Sequence, residues 1–279
     1  MFGTRASPLE MGIESEGLLR ISIFVSVFVV LAVAEALWPR RTIAGRARRW
    51  STNIALVAVN TVVLRLLFLI VPALTVLAAV YVEGQGWGAL SVLGVTGFAA
   101  VAIAFVMLDL AIYAQHVVFH FVPAFWRFHR VHHADTQFDV TTGIRFHFGE
   151  ILLSQAWKMI VVLALGAPAI AVLIFEIALN ATAMFSHSNL HLASGIDRWL
   201  RLAMVTPEMH RVHHSVVMAE TNSNFGFNLS LWDRIFRTYR AASMGDQAVM
   251  PIGLNSYRGA EPSLFLWAIG FPFAQGPRA

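Results

Sequence analysis

Apolar residues run in long blocks along this chain, and polar residues punctuate them at intervals that suit a bilayer. The first block covers about residues 18–38, close to the ~20 residues a helix needs to cross a membrane. It ends at Pro39-Arg40-Arg41, and the loop up to Trp50 adds Arg46, Arg48 and Arg49 without an acid. So many arginines in a short loop place it in the cytoplasm and the N-terminus outside. A second run, residues 54–82, is interrupted by Arg65 and is expected to kink at Pro72. An arginine at that depth is costly, so Arg65 should face protein or snorkel. Residues 83–88 read as an outer turn. A third run, from residue 90 to about 113, returns inward, carries Asp109 and delivers His116 and His120 on its last turns.

The fourth apolar region, residues 151–185, decides the topology. A single crossing would put His187 and His191 on the face opposite His129, His132 and His133. Gly166-Ala167-Pro168 breaks the run, because the residue before proline resists the α conformation. Two antiparallel helices, 151–165 and 169–185, are therefore predicted, each at or below the ~17-residue minimum for a full span. The last apolar piece, 264–273, is too short to cross and should lie on the membrane or pack on the domain. The predicted fold class is all-α. It is a polytopic membrane bundle of about three full spans plus a helical hairpin, with a cytosolic histidine-rich helical cap. Residues 1–259 form one integral-membrane domain with a histidine-cluster core at 109–240, and residues 260–279 form a tail.

Composition agrees with the membrane class. The chain is 57% apolar and 13% charged, against about 45–50% and about 25% for soluble domains. The absence of cysteine excludes disulfides, iron–sulfur clusters, thiolate haem and zinc-finger sites. The net charge of +4 comes almost wholly from arginine, with Lys158 the only lysine. In a membrane protein such charge serves orientation and headgroup contact, and no nucleic-acid partner is expected. Residues 1–17 are polar, with three glutamates and no basic start, so no cleavable signal peptide is read there.

Histidine is the unusual residue. His116 and His120 form an HxxxH pair, and His129, His132 and His133 lie in the pentapeptide HRVHH. The same grammar returns as His187 and His191, then His210, His213 and His214 in a second HRVHH. The eleventh histidine, His147, lies between the two sets. On a helix HxxxH puts two imidazoles on one face, and HxxHH puts three within an arc of about 100°. Used in combination, this points to a polynuclear metal centre. The ten nitrogens suit two ions with five ligands each, or with four and an open position. Imidazole serves iron, zinc, copper and nickel alike. A site facing lipid chains favours oxidation of unactivated C–H bonds by a redox metal that binds O2, whereas zinc would serve hydrolysis.

The order HxxxH, HxxHH, HxxxH, HxxHH on a membrane frame resembles the fatty acid hydroxylase/sterol desaturase superfamily of non-haem diiron enzymes. The flanks match too, at Phe125-Trp126-Arg127-Phe128-His129 and at Thr142-Gly143-Ile144-Arg145-Phe146-His147 followed by Glu150. Asn224-Phe225-Gly226-Phe227-Asn228 leading to Leu231-Trp232-Asp233-Arg234 is a third match, and the likeness spans about residues 109–239. Phe148 stands where proline is usual, and Arg237 where glycine closes the family's last motif.

The resemblance implies O2-dependent hydroxylation or desaturation of a sterol, fatty acyl or related lipid. It implies two iron ions, replaceable by zinc in purified protein, and a separate ferredoxin- or cytochrome-type electron donor. It also implies a bacterial inner membrane, and the arginine-rich loop together with the hairpin puts the metal site on the cytoplasmic side. The ligand positions carried over are His116, His120, His129, His132, His133, His187, His191, His210, His213 and His214. His147, Asp109, Asp135, Glu150, Glu208 and Asp233 are candidates to ligate or to receive the ligands' outer N–H groups, as metal-bound histidines need. Each carboxylate singly also suits a helix cap or a surface role. Arg127, Arg130, Arg145 and Arg211 are expected to neutralise carboxylates or meet headgroups. Phe119, Phe121, Trp126, Phe146 and Phe148 should flank the site mouth. Two other readings of the histidines are a zinc-dependent membrane hydrolase and a metal transporter, the latter requiring ligands along a path within the membrane.

Overall fold

The computed structural model describes residues 8–70 and 74–274. The kink expected at Pro72 lies outside the described residues. Helices α1 (Pro8–Leu37), α2 (Arg46–Ile70), α3 (Leu74–Gln85), α4 (Ala89–Val92) and α5 (Gly97–Phe121) make the first half. A short break at Val122 leads into α6 (Pro123–His133), then α7 (Phe148–Leu165) and α8 (Ala169–Ser186). The cap is completed by α9 (Ser194–Leu200), α10 (Pro207–His213), α11 (Met218–Thr221), α12 (Leu231–Ile235) and α13 (Phe265–Gly270). The fold is all-helical, with no strand among the described residues. Five segments are long and apolar enough to cross a membrane, in α1, α2, α5, α7 and α8, and the chain is an integral membrane protein.

The hairpin forms as its sequence dictates. Gly166 adopts a left-handed φ of 65° and closes α7 by donating to Val162 O and Leu163 O. Pro168 then opens α8. A side chain at Gly166 would collide with Trp87 O at 2.1 Å, and one at Gly88 with Gly166 N at 2.2 Å, so two glycines let the hairpin tip nest on the outer turn. Lys158 on α7 donates to Glu176 on α8 at 2.7 Å, each seven or eight residues from the tip, which fixes the pair as antiparallel. Glu176 also receives Thr75 and Arg20, so these three charges are paired inside the bundle, as an apolar medium requires. Both hairpin helices run 18 residues, longer than predicted and within the range for crossing.

Small residues (Ala79, Ala100, Ala104, Ala167 and Ala171) allow α3, α5, α7 and α8 to approach closely, around Leu108, Ile112, Val172 and Phe175. The last apolar piece packs on the domain. Ala268 and Phe271 bury against Leu56, Val131 and Ala134, and Arg130 lies 4.1 Å over the Phe271 ring. One arginine departs from the sequence reading and another takes one of the arrangements it allowed. Arg49 is not a loop charge but is 2% exposed, bonded to Asp135 at 2.6 Å and to Asp139 at 2.7 and 2.8 Å. Arg65 faces away from the bundle on the exposed side of α2, which leaves snorkelling of the two arrangements expected.

Candidate metal centre

All the relevant helices end at one place. α5 carries His116 and His120 one turn apart near its C-terminus. Pro123 occupies the first turn of α6, and its last turns present His129, His132 and His133. Thr206 caps α10 by accepting from Met209 N at 3.3 Å, Pro207 follows, and His210, His213 and His214 come next. His187 caps the C-terminus of α8, so the hairpin returns the second set to the first.

The imidazoles sort into two pockets. His116, His120, His129, His133 and His213 form one, and His132, His187, His210 and His214 the other, with ligand atoms in each within 4.8 Å of one another. The pockets adjoin, since the rings of His133 and His214 stack at 4.5 Å. All nine rings are buried except that of His120, which is partly so.

Most ring orientations are set from outside. The outer Nδ1–H of His116 donates to Phe225 O (2.7 Å), that of His129 to Glu150 Oε1 (2.7 Å) and that of His213 to Ser223 O (2.7 Å). His187 donates to Ala183 O (2.7 Å), His132 to Arg145 O (3.2 Å) and His120 to Asn222 Oδ1 (3.3 Å). Each such bond leaves Nε2 as a lone pair aimed inward. The consequence is visible: Nε2 of His116 faces Nε2 of His129 at 3.1 Å, and Nε2 of His132 faces that of His187 at 3.1 Å. Two bare lone pairs cannot bond each other, and a cation between them resolves the conflict. Ligands about 2.0–2.1 Å from one ion stand roughly 3 Å apart, the separation found here. Nε2 of His120, His133 and His213 is buried with no partner at all. The residues present thus fit a pair of metal ions.

Burial keeps the rings uncharged. His129, His132, His133, His210, His213 and His214 are held well below the usual 6.5 by desolvation first and neighbouring imidazoles second. His187 is pushed down to about 3, again chiefly by burial. Neutral imidazole is the form that binds metal.

His191 is the exception among the expected ligands. It is exposed and belongs to neither pocket. HxxxH sets two rings on one face only along a helix, and α8 ends at His187. Leu190 bridges Pro39, and His191 N–H donates to Trp38 O at 2.8 Å.

Of the five candidate carboxylates, only Glu150 receives an imidazole N–H. Asp109 instead accepts Trp232 Nε1 at 2.8 Å and the N–H groups of Asn228 and Leu229. Asp233 accepts Phe225 N (2.8 Å) and Gly226 N (2.9 Å), Asp135 is taken by Arg49, and Glu208 by Arg40 at 2.8 Å. These four hold the backbone that holds the histidines. His147 caps α7 by accepting from Gly149 N at 3.0 Å and donates to Ile269 O at 3.2 Å, so it faces the tail rather than the pockets.

Arg127, Arg130 and Arg145 brace carbonyls: Pro272 O, Phe271 O and Pro262 O respectively. Arg211 meets a carboxylate as expected, Glu208 at 3.1 Å. Phe146 stacks on His132 at 4.7 Å, Trp126 packs on His120 at 5.0 Å, and Phe119 lies 5.9 Å from His129. Phe121 meets Phe225 instead, and Phe148 meets His147. The carbonyls of Ala183, Ser223 and Phe225 and the amide of Asn222 were missed by sequence reasoning. A carbonyl carries no residue signal, and Asn222 could have been found only through its fixed distance from the second HRVHH.

Fold and site together define an integral membrane protein with two adjoining all-imidazole pockets, each able to hold a metal ion. Residues 101–238, which enclose all nine grouped histidines, match the family model described as fatty acid hydroxylase, and the chain belongs to the fatty acid hydroxylase family. Ornithine lipid hydroxylase OlsE of Rhizobium tropici is 34% identical over 139 residues, 50% of this chain and 41% of that protein. Alkylglycerol monooxygenase of Xenopus tropicalis is 30% identical over 138 residues, 49% of this chain and 30% of that protein. The Homo sapiens enzyme of that name is 30% identical over 139 residues, covering 50% and 30%. The match thus spans less than half the length of these curated relatives. No solved structure matches the chain.

Proposed function

We propose that this protein is a membrane-bound non-haem diiron monooxygenase that hydroxylates a C–H bond of a membrane lipid. The observation that carries the reading is the pair of pockets whose inward lone pairs face one another without protons. His116, His120, His129, His133 and His213 would hold one ion, and His132, His187, His210 and His214 the other. Iron is favoured over zinc because the family relatives named above are hydroxylases and monooxygenases, and zinc on the same imidazoles would be a substitution. The same names favour hydroxylation over desaturation.

Bound iron would supply activation of O2. One oxygen atom enters the C–H bond and the other leaves as water, which consumes two electrons and two protons from a separate ferredoxin- or cytochrome-type donor. The chain's own residues do the rest. Phe138, Phe146 and Phe225 shield the rings from water. Glu150 and the loop carbonyls fix the tautomers, and His132, His187, His210 and His214 would hold their ion with one histidine fewer than the other pocket. The arginine-rich turn from α1 into α2 lies at the same end as the site, where Arg40 meets Glu208, which supports a cytoplasmic face in a bacterial inner membrane. Residues 1–259 are read as the membrane domain, with its core at 109–240. Residues 260–279 are its tail, of which the described part packs against α2 and α6.

The test is turnover of iron-loaded protein in lipid vesicles under 18O2 with a chemical or ferredoxin reductant, read by lipid mass spectrometry. A lipid carrying one 18O atom is expected. An O2-independent cleavage product, or no product with any donor, contradicts the reading.

A further inference from the structure

The cap walls the metal pockets on most sides, but one wall is built from the membrane side. The 225–229 loop runs beside α5, from Phe225, whose carbonyl holds His116, to Leu229, whose N–H reaches Asp109 at 3.2 Å. Asp109 lies two turns before His116, so the loop descends about 10 Å along the apolar part of α5. Irregular backbone at that depth must be satisfied by protein. Here Asp109 and Asp233 accept the N–H groups of Phe225, Gly226, Asn228 and Leu229. Gly226 leaves no room for a side chain, since a Cβ would lie 2.8 Å from both Asp233 Oδ2 and Leu229 O. On the other side Thr182 of α8 donates to Asn228 Oδ1. The loop is a rigid floor set between α5 and α8, separating the pockets from the bundle core.

Two side chains on this floor are unaccounted for. The ring of Phe227 lies 5.1 Å from His116 of one pocket and 6.4 Å from His210 of the other. Phe225 and Trp126 reach only the first pocket, Phe138 and Phe146 only the second. Among the described residues Phe227 alone of the Phe, Tyr and Trp rings meets both. It also packs against the apolar cluster of α3, α5, α7 and α8. Next to it Asn228, 4% exposed, leaves its Nδ2 buried without a partner, a donor that costs free energy until something accepts it.

We propose that Phe227 is the specificity-determining contact for the lipid. An alkyl chain of the lipid meets the metal pair at this ring, and Asn228 Nδ2 donates to an ester, ether or amide oxygen of the same lipid. The inference rests on the monooxygenase reading and adds where the substrate lies. The ring's bulk then sets how far the chain advances, and so which carbon is presented to both pockets.

The test uses full-length, zinc-loaded protein in phosphatidylethanolamine and phosphatidylglycerol vesicles doped with a phospholipid bearing a diazirine on its acyl chain. Photolysis and peptide mapping report the contact without turnover. Label on the peptide containing Phe227 and Asn228 is expected, with its yield reduced in Asn228→Leu. Label confined to the outer surfaces of α1 and α2 overturns the proposal. With iron-loaded protein, Phe227→Ala should move the oxidised position and relax discrimination between chains differing by one methylene by roughly tenfold, with metal content unchanged. Phe227→Leu gives the same reading if the alanine variant does not fold. Unchanged position and discrimination overturn the proposal. Label on the loop without any oxygenated product would sink the monooxygenase reading and leave the floor standing; product with label only elsewhere would do the reverse.

Discussion

The pentapeptides at 129–133 and 210–214 have the same residues and feed opposite pockets. In the first, His129 and His133, one turn apart, join the five-ligand pocket while His132 crosses to the four-ligand pocket. In the second, His210 and His214 join the four-ligand pocket and His213 crosses over. Each HxxHH thus gives its i, i+4 pair to one pocket and its odd histidine to the other, and the exchange ties two distant stretches of chain together. The HxxxH pairs break this symmetry. On α5 the pair lies within helix and delivers both rings, whereas at His187 the helix stops and His191 points away. An identical spacing therefore specifies a ligand pair only when the backbone between its ends is helical.

That asymmetry can be broken from either side. The largest effect is expected from the crossing histidines. His132→Ala leaves three ligands in its pocket and should lose that metal ion and all oxygenation, read by elemental analysis and turnover. His213→Ala leaves four in the other pocket and should retain more metal than His132→Ala; equal losses would deny the five-and-four division.

The anchors come next. Arg49 holds Asp135, just after the first pentapeptide, in full burial, and Arg40 holds Glu208, just before the second, while 25% exposed. Arg49→Leu should cost about 3–5 kcal/mol, because it strands two buried carboxylates. Arg40→Leu should cost under about 1 kcal/mol. Thermal unfolding in detergent separates the two, and equal shifts would place the pairs in similar surroundings.

Between those two anchors in size is Glu150→Gln. It weakens the tautomer lock on His129 and should lower metal affinity or activity by about 10–100-fold, read by metal competition with a chelator. Smallest is His191→Ala, for which unchanged metal content and turnover are expected; a loss of either would restore a tenth ligand.

Much of this arrangement was legible in the residues. Gly166-Ala167-Pro168 marked the hairpin because the residue before proline resists the α conformation, and Gly166 closes α7 in the left-handed region. The gathering of nine histidines was legible because three of the four clusters sit on helices, where spacing fixes azimuth. His191 was not, since the path after His187 is set by distant partners. Glu35, a buried acid within the apolar run of α1, accepts Asn189 N at 2.9 Å and Val140 N at 3.0 Å, and no local pattern announces it. Arg49 misled for a related reason. Its charge fits a cytoplasmic loop, but Asp135 and Asp139 lie far along the chain and draw it into the cap. The carboxylates Asp109 and Asp233 were placed near the imidazoles, yet turns with free N–H groups captured them first.

The most direct test of two unequal imidazole pockets is 57Fe Mössbauer spectroscopy of the anaerobically loaded protein, with iron counted per chain. Two iron ions per chain are expected, giving two distinct quadrupole doublets of equal area, one from each pocket, with both kept in His191→Ala. One ion per chain, or two that fall to one when His191 is removed, would contradict it.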